Sequence, residues 1–270
     1  MTLEPPSVAH AVAIPVLLYH SVADEPAVGQ EPFTVTPKLF AEHVAAIADA
    51  GLTAVTISEL VASLRGDRPL VAHTVAVTFD DAFANTQLAA ERLREAGVPS
   101  TIYVQTNRIG LRDGPSVEAL RELAAAGAEI GAHTVSHPYL DSIPRALAAR
   151  EIAESRSVLE QHLGRRVETF AYPHGAYDRH VRAAVIAAGH TSAAAVKNAF
   201  SHPLDDPFAI ARWTVMHDTS AERLALVLKG RGLPLAWTKE RRRTRAARGV
   251  RRMRRHVASL QHRVTGAGPS

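Results

Sequence analysis

Short apolar runs alternate with helical stretches along most of the chain, and this alternation restricts the fold more than any other feature. Strand candidates fall at 12–19, 53–57, 74–79, 101–105, 128–132, 167–172, 190–196 and 209–215. Helical stretches fall between them, at 37–51, 58–64, 85–96, 116–126, 142–163, 179–188 and 221–228. Thr36 as N-cap and Pro37 at the first helical position start the first helix, with Phe40, Val44 and Ile47 along one face. Strands that alternate with helices run parallel and carry the helices outside the sheet. Eight candidates suit a closed barrel better than an open sheet, and in such barrels chemistry gathers at the C-terminal ends of the strands. His20, Asp80, Asp81, His133 and Tyr172 all sit at expected strand ends.

Residues 75–83 read V-A-V-T-F-D-D-A-F, a strand that ends in two adjacent carboxylates. Ionised neighbours cannot be buried without partners. Asp80 and Asp81 therefore either cap the next helix or serve a site that uses negative charge. His133 and His137 follow a later strand; four residues apart, they share a face if the segment is a helical turn. An H-x-x-x-H is weak evidence alone in a chain with fourteen His. Joined to a strand-end Asp pair it becomes a candidate metal site. The chain has no Cys, which excludes thiolate ligands and disulfides and leaves His and carboxylate. Two His and one Asp suit catalytic zinc, which keeps a coordination position open. Only one carboxylate need touch the ion; the other can take a proton from an attacking water, and a His beyond the ion's reach can protonate a leaving group.

With 46% hydrophobic and 21% charged residues, the chain reads as an ordinary globular protein. No run is long enough to cross a bilayer. The apolar stretch 11–18 lacks a preceding Lys or Arg and is interrupted by Pro15, so it reads as a strand, not a signal peptide, and a cytoplasmic location is the default expectation. From Lys239 onward eleven Lys/Arg face one acid, Glu240, giving this end +10 and leaving about −6 of the net +4 for residues 1–238. As a helix it would carry Val250, Met253, Val257, Leu260 and Val264 as an apolar stripe on a basic rod. The expected layout is thus a leader at 1–11, a catalytic barrel at 12–230, and a linker with an Arg-rich amphipathic tail at 231–270. The 239–264 stretch is either a solvated end, or a helix for an anionic membrane at its inner face or for an acidic partner. No motif supports nucleic acid.

The segments Thr78-Phe-Asp-Asp81, His133-Thr-Val-Ser-His137 and Phe170-Ala-Tyr-Pro-His-Gly175 resemble successive motifs of the polysaccharide deacetylase family, the family 4 carbohydrate esterases. The resemblance covers roughly 12–230. It implies a distorted (β/α) barrel of about seven parallel strands with outer helices, here followed by a basic C-terminal helix. It also implies Asp80 as catalytic base, with Asp81, His133 and His137 holding one divalent metal, zinc first and Co, Ni or Mn as alternatives. The implied reaction removes an N-acetyl group from an amino sugar in a polysaccharide, oligosaccharide or lipid-linked glycan. Two departures stand out. Ala171 occupies the third-motif position where many members carry an Arg that pairs with the catalytic Asp. The L-x-H motif whose His serves as acid lies at the front, as Leu18-Tyr19-His20, similar to the circularly permuted poly-N-acetylglucosamine deacetylase branch. His20 is the expected acid and His217 its rival, while Arg212 is a candidate for the missing cation. Tyr172, Pro173, His174, Gly175, Trp213 and His217 are candidate substrate contacts. For Tyr172 and Trp213 plain core packing competes with that role, as completion of a turn does for His174.

Two rival functions remain: hydrolysis of a non-sugar C–N bond at the same metal, or a degenerate binding domain. Retention of Asp80 and all three ligands argues against the second.

Overall fold

The computed structural model describes residues 12–69, 73–237, 246–251 and 253. The expected leader, and Val257, Leu260 and Val264 of the tail stripe, lie outside them. In chain order the strands are β1 (Val16–Tyr19), β2 (Ser21–Val22), β3 (Thr34–Val35), β4 (Thr53–Val55), β5 (Thr74–Phe79), β6 (Ser100–Val104), β7 (Glu129–Ala132), β8 (Thr169–Ala171), β9 (Ser192–Val196) and β10 (Ile210–Thr214). The helices are α1 (Pro37–Ala48), α2 (Ile57–Arg65), α3 (Thr86–Glu95), α4 (Val117–Ala125), α5 (Arg145–Leu163), α6 (Arg179–Ala187) and α7 (Ala221–Leu228).

All sheet pairings among these strands are parallel. The main sheet runs β1-β10-β9-β8-β7-β6-β5, and β1 also pairs with β5, so seven strands close into a barrel. The eighth candidate, β4, pairs only with the first half of β5, at Thr74–Ala76, and stays outside the ring. Closure depends on β1, whose Leu17 stands opposite Trp213 of β10 and Val77 of β5.

Alternate strand residues face the lumen. There Val16, Ala76, Tyr103, Ala171, Ala194 and Ile210 form one buried cluster with Ile57, Leu60 and Val61 of α2. The start of α2 is bonded to the N-terminal ends of two strands: Ile57 N–H donates to Thr101 at 3.0 Å and Ser58 N–H to Glu129 at 3.2 Å. At its far end Arg65 donates to the Thr191 carbonyl ahead of β9. This helix therefore plugs the N-terminal mouth of the barrel. Small lumen residues make room for large ones. A Cβ on Gly131 would lie 2.5 Å from the Tyr103 ring and 2.8 Å from Thr169 Cγ2, so only glycine fits there. A second, larger cluster, including Phe40, Val44, Leu93, Leu120, Ile152 and Leu224, fills the layer between barrel and helices.

Local chemistry explains the element boundaries. Thr36 accepts from Leu39 N–H ahead of Pro37, and Thr56 with Glu59 forms a reciprocal capping box on α2. The long helix starts at Arg145, not at 142. Leu140–Ser142 form a separate 3-10 turn, and Pro144 disfavours helical backbone at the residue before it. No helix among the described residues is long and apolar enough to cross a membrane.

Candidate metal centre

The plugged end leaves the C-terminal ends of the strands to carry the polar residues. β5 delivers Asp80 and Asp81, and Asp80 N–H still donates to the Tyr19 carbonyl at 3.0 Å. The chain then turns sharply, with Asp81 at φ 68° and Ala82 at φ 50°, left-handed values that side chains disfavour. Both carboxylates are buried.

Arg212, on β10, is fully buried and reaches across the lumen to Asp80 as a fork. Its Nη1 donates to Asp80 Oδ1 at 2.6 Å and its Nη2 to Oδ2 at 2.8 Å. Nη1 also donates to Thr78 Oγ1 at 3.2 Å, and the guanidinium lies 5.2 Å from the centre of the Tyr103 ring. Burial works to raise the Asp80 carboxyl, yet Arg212, aided by His133 and His20, holds the group down to about 2. The cation absent from the third motif thus arrives from another strand. Ala171, at the motif position, contributes its carbonyl instead, which accepts from His133 Nδ1 at 2.9 Å. That bond turns the lone pair of His133 Nε2 towards the carboxylates.

Asp81, His133 and His137 each offer a ligand atom, all within 4.8 Å of one another. Asp81 Oδ1 lies 3.6 Å from His133 Nε2 and 3.4 Å from His137 Nε2. It is buried and has no hydrogen-bond partner. Burial, with Asp80's charge adding to it, pushes Asp81 up to about 6, while burial drives His133 down to about 3 and lowers His137. A buried, unpaired carboxylate oxygen facing two neutral imidazoles is a donor set that suits a divalent cation such as zinc. His133 and His137 do not share a helical face as the spacing implies. Residues 133–139 form no helix, and Thr134 (φ 65°) and His137 (φ 59°) reverse the backbone instead.

That reversal depends on a residue the sequence reading missed. Glu151 of α5 is buried and accepts from Val135 N–H and Ser136 N–H, each at 2.9 Å, and from Ser136 Oγ at 2.6 Å. A buried Glu on the inner face of a helix was the available signal.

The other candidates divide. His20 lies against Phe33, with ring centres 4.9 Å apart and planes tilted by 40°, and its buried Nδ1 has no hydrogen-bond partner. Burial lowers its pKa against the pull of both Asp80 and Asp81. For His217 the structure gives a backbone bond to the Pro32 carbonyl at 2.9 Å. Pro173 is buried, and His174 (φ 57°) sets its ring edge-on to His137 at 4.4 Å. Gly175 has φ 63°, and a Cβ there would lie 2.8 Å from Val196, so the turn requires glycine. The Tyr172 side chain does not reach the centre: it is buried, stacks on Tyr177 at 4.5 Å and donates to the Phe208 carbonyl at 2.9 Å. Its N–H donates to the Ala194 carbonyl at 3.1 Å. Trp213, one residue from Arg212 and so on the opposite face of β10, packs into the layer under the helices.

Comparison with known proteins agrees with this architecture. A polysaccharide deacetylase family model matches residues 67–193. A curated relative from Bacillus subtilis (strain 168), named "Putative polysaccharide deacetylase YxkH", is 27% identical over 166 residues, 61% of this chain. The match spans 58% of that relative's length. Among solved structures, the Streptococcus pyogenes deacetylase PplD in complex with acetate is similar with a TM-score of 0.73 at 21% identity, over 79% of this chain and 97% of that one. IcaB from Ammonifex degensii gives 0.72 at 22%, over 80% and 97%. These structural likenesses show the fold. The family model spans 67–193, just under half of the chain, and it is this motif-bearing stretch that is similar to the polysaccharide deacetylases.

Proposed function

We propose that this protein is a metal-dependent hydrolase that removes N-acetyl groups from an amino sugar within a glycan. One observation carries the reading: a carboxylate held in a buried arginine fork stands within 3.8 Å of the His133 imidazole, beside an Asp–His–His set whose Asp oxygen lacks a partner. Asp81, His133 and His137 would hold the cation. When bound, it supplies Lewis acidity to the acetamide carbonyl and makes water a better nucleophile. Asp80 takes the proton of the attacking water. Arg212 keeps that carboxylate ionised and aimed, at the cost of some basicity. His20 sits where both carboxylates act on it and donates a proton to the departing nitrogen. The products are a free amine and acetate.

The test is acetate release from N-acetylglucosamine oligomers by the full chain supplied with Zn²⁺. Asp80→Asn is expected to lower the rate at least about a hundredfold, as loss of a general base does, while retaining wild-type metal content. Comparable release by Asp80→Asn would remove Asp80 from the role.

The location is part of the proposal: a cytoplasmic enzyme with its arginine-rich end at the anionic inner face of a membrane. In support, Val250 and Met253 are 44% and 62% exposed on the segment that carries this charge. Sedimentation with anionic liposomes should fall for a 1–238 truncation, and equal binding would refute the membrane role.

A further inference from the structure

Residues 246–251 form a helical turn whose arginines return to the barrel. Arg251 Nη2 donates to the buried Asp141 carboxylate at 2.7 Å and its Nε to Ser142 Oγ at 3.2 Å. The same guanidinium lies 4.9 Å from the centre of the Tyr139 ring. Tyr139 stacks on His174 with ring centres 3.8 Å apart and planes 13° from parallel, and His174 sets its edge against His137 at 4.4 Å. Arg248, one turn back, reaches the Tyr177 carbonyl at 3.5 Å. Val250 faces the other way and is exposed.

The geometry points to Arg251 as a positioning residue for the candidate metal centre, clamping the 137–142 loop from a segment far along the chain. It acts through two stacked rings, Tyr139 and His174, and never touches the ligand atoms itself. The physical grounds are additive. A charged hydrogen bond to a buried carboxylate is strong and directional, and a cation over an aromatic face adds to it. The loop it holds is the one that must keep His137 in a left-handed backbone conformation, a state that persists only where its surroundings over-determine it. Glu151 secures the loop from α5, at Val135 and Ser136. Arg251 secures it from the rim. Arg251 is thus part of the site's frame.

This inference rests on the metal-centre reading, and the experiment separates the two. Amide hydrogen exchange is measured across residues 135–142 in the metal-free full chain, and Co²⁺ and Zn²⁺ affinities are measured by competition with a chromophoric chelator. Arg251→Ala is expected to speed exchange in that loop and weaken cation binding about tenfold, the lower end for a group that orients a ligand. Arg251→Lys, which keeps the charge but not the fork, should recover part of both, and Val250→Ser should change neither. Unchanged exchange in Arg251→Ala would overturn the clamp. Faster exchange with unchanged affinity would overturn its role towards His137. A wild-type chain that binds no cation would overturn the metal-centre reading, and the exchange result, taken without metal, would still show whether the clamp exists.

Discussion

The arginine fork on Asp80 shows how a single side chain sets the character of the site. Removing one partner of a buried pair leaves the other charge stranded, which costs about 3–5 kcal/mol. Arg212→Met should therefore destabilise the fold by about that amount in denaturant titrations, and Arg212→Lys by less. Asp80 titrates at about 2 in the folded chain and at a higher, ordinary carboxylate value when unfolded. Its contribution to stability is accordingly present above about pH 4 and lost as pH falls towards 2. In Arg212→Met that acid-limb slope should shrink. His190 works in the opposite sense. Burial, with Arg156 adding to it, drives the imidazole from an ordinary 6.5 down to about 3. The unfolded chain then binds the extra proton, so His190 costs the fold stability progressively as pH falls from 6.5 to 3. His190→Phe should flatten that part of a melting-temperature profile if the larger ring is accommodated beside Phe170, and an unchanged profile would exclude His190 as the source. The Asp pair, the two His and His20 were legible as residues because charge at a strand end asks for a partner. The conformation that joins them was not. Asp81, Ala82, Thr134, His137 and His174 all adopt positive φ without being glycine, a tertiary imposition on which local sequence is silent.

At the level of elements, the helices were readable because their caps are local. Thr36, Thr56, Ser116 and Ser220 each accept the backbone N–H of the third residue of their helices. The pairs β2 and β3 went unread, since two residues carry no periodicity. The unit that matters most for function joins β7, the 133–137 turn and α5. Glu151→Ala would remove the acceptor of two part-buried N–H groups, at a cost below the roughly 1–3 kcal/mol each that full burial would carry. Glu151→Gln keeps an acceptor for some of them. The expected order of Zn²⁺ affinity is wild type, then Gln, then Ala, with Ala weaker by about tenfold or more. Equal affinities in chelator competition would show that the turn holds its shape without Glu151.

For the whole molecule, seven closing strands match the expected barrel, and the eighth candidate was miscounted because a strand outside the ring has the same sequence pattern as one within it. If the metal centre is a site of the folded chain alone, ligand must stabilise the fold by mass action. Zn²⁺ at a hundred times its dissociation constant should add about 2.7 kcal/mol, seen as a raised melting temperature that a chelator reverses. His133→Ala should show no such response. The front strand makes this folded state an all-chain property. Among the described residues β1 is the seam between β10 and β5, and it brings Tyr19 to Asp80 and, next to it, His20. A polypeptide emerging from the ribosome therefore carries Asp80, Asp81 and His20 long before it has Arg212 to neutralise Asp80 or β10 to close the ring. Such long-range pairing is slow to form. Until roughly four-fifths of the chain has been made, the nascent sheet keeps an open edge and an uncompensated acidic pair, so among the described strands the last to be synthesised both closes the ring and neutralises Asp80.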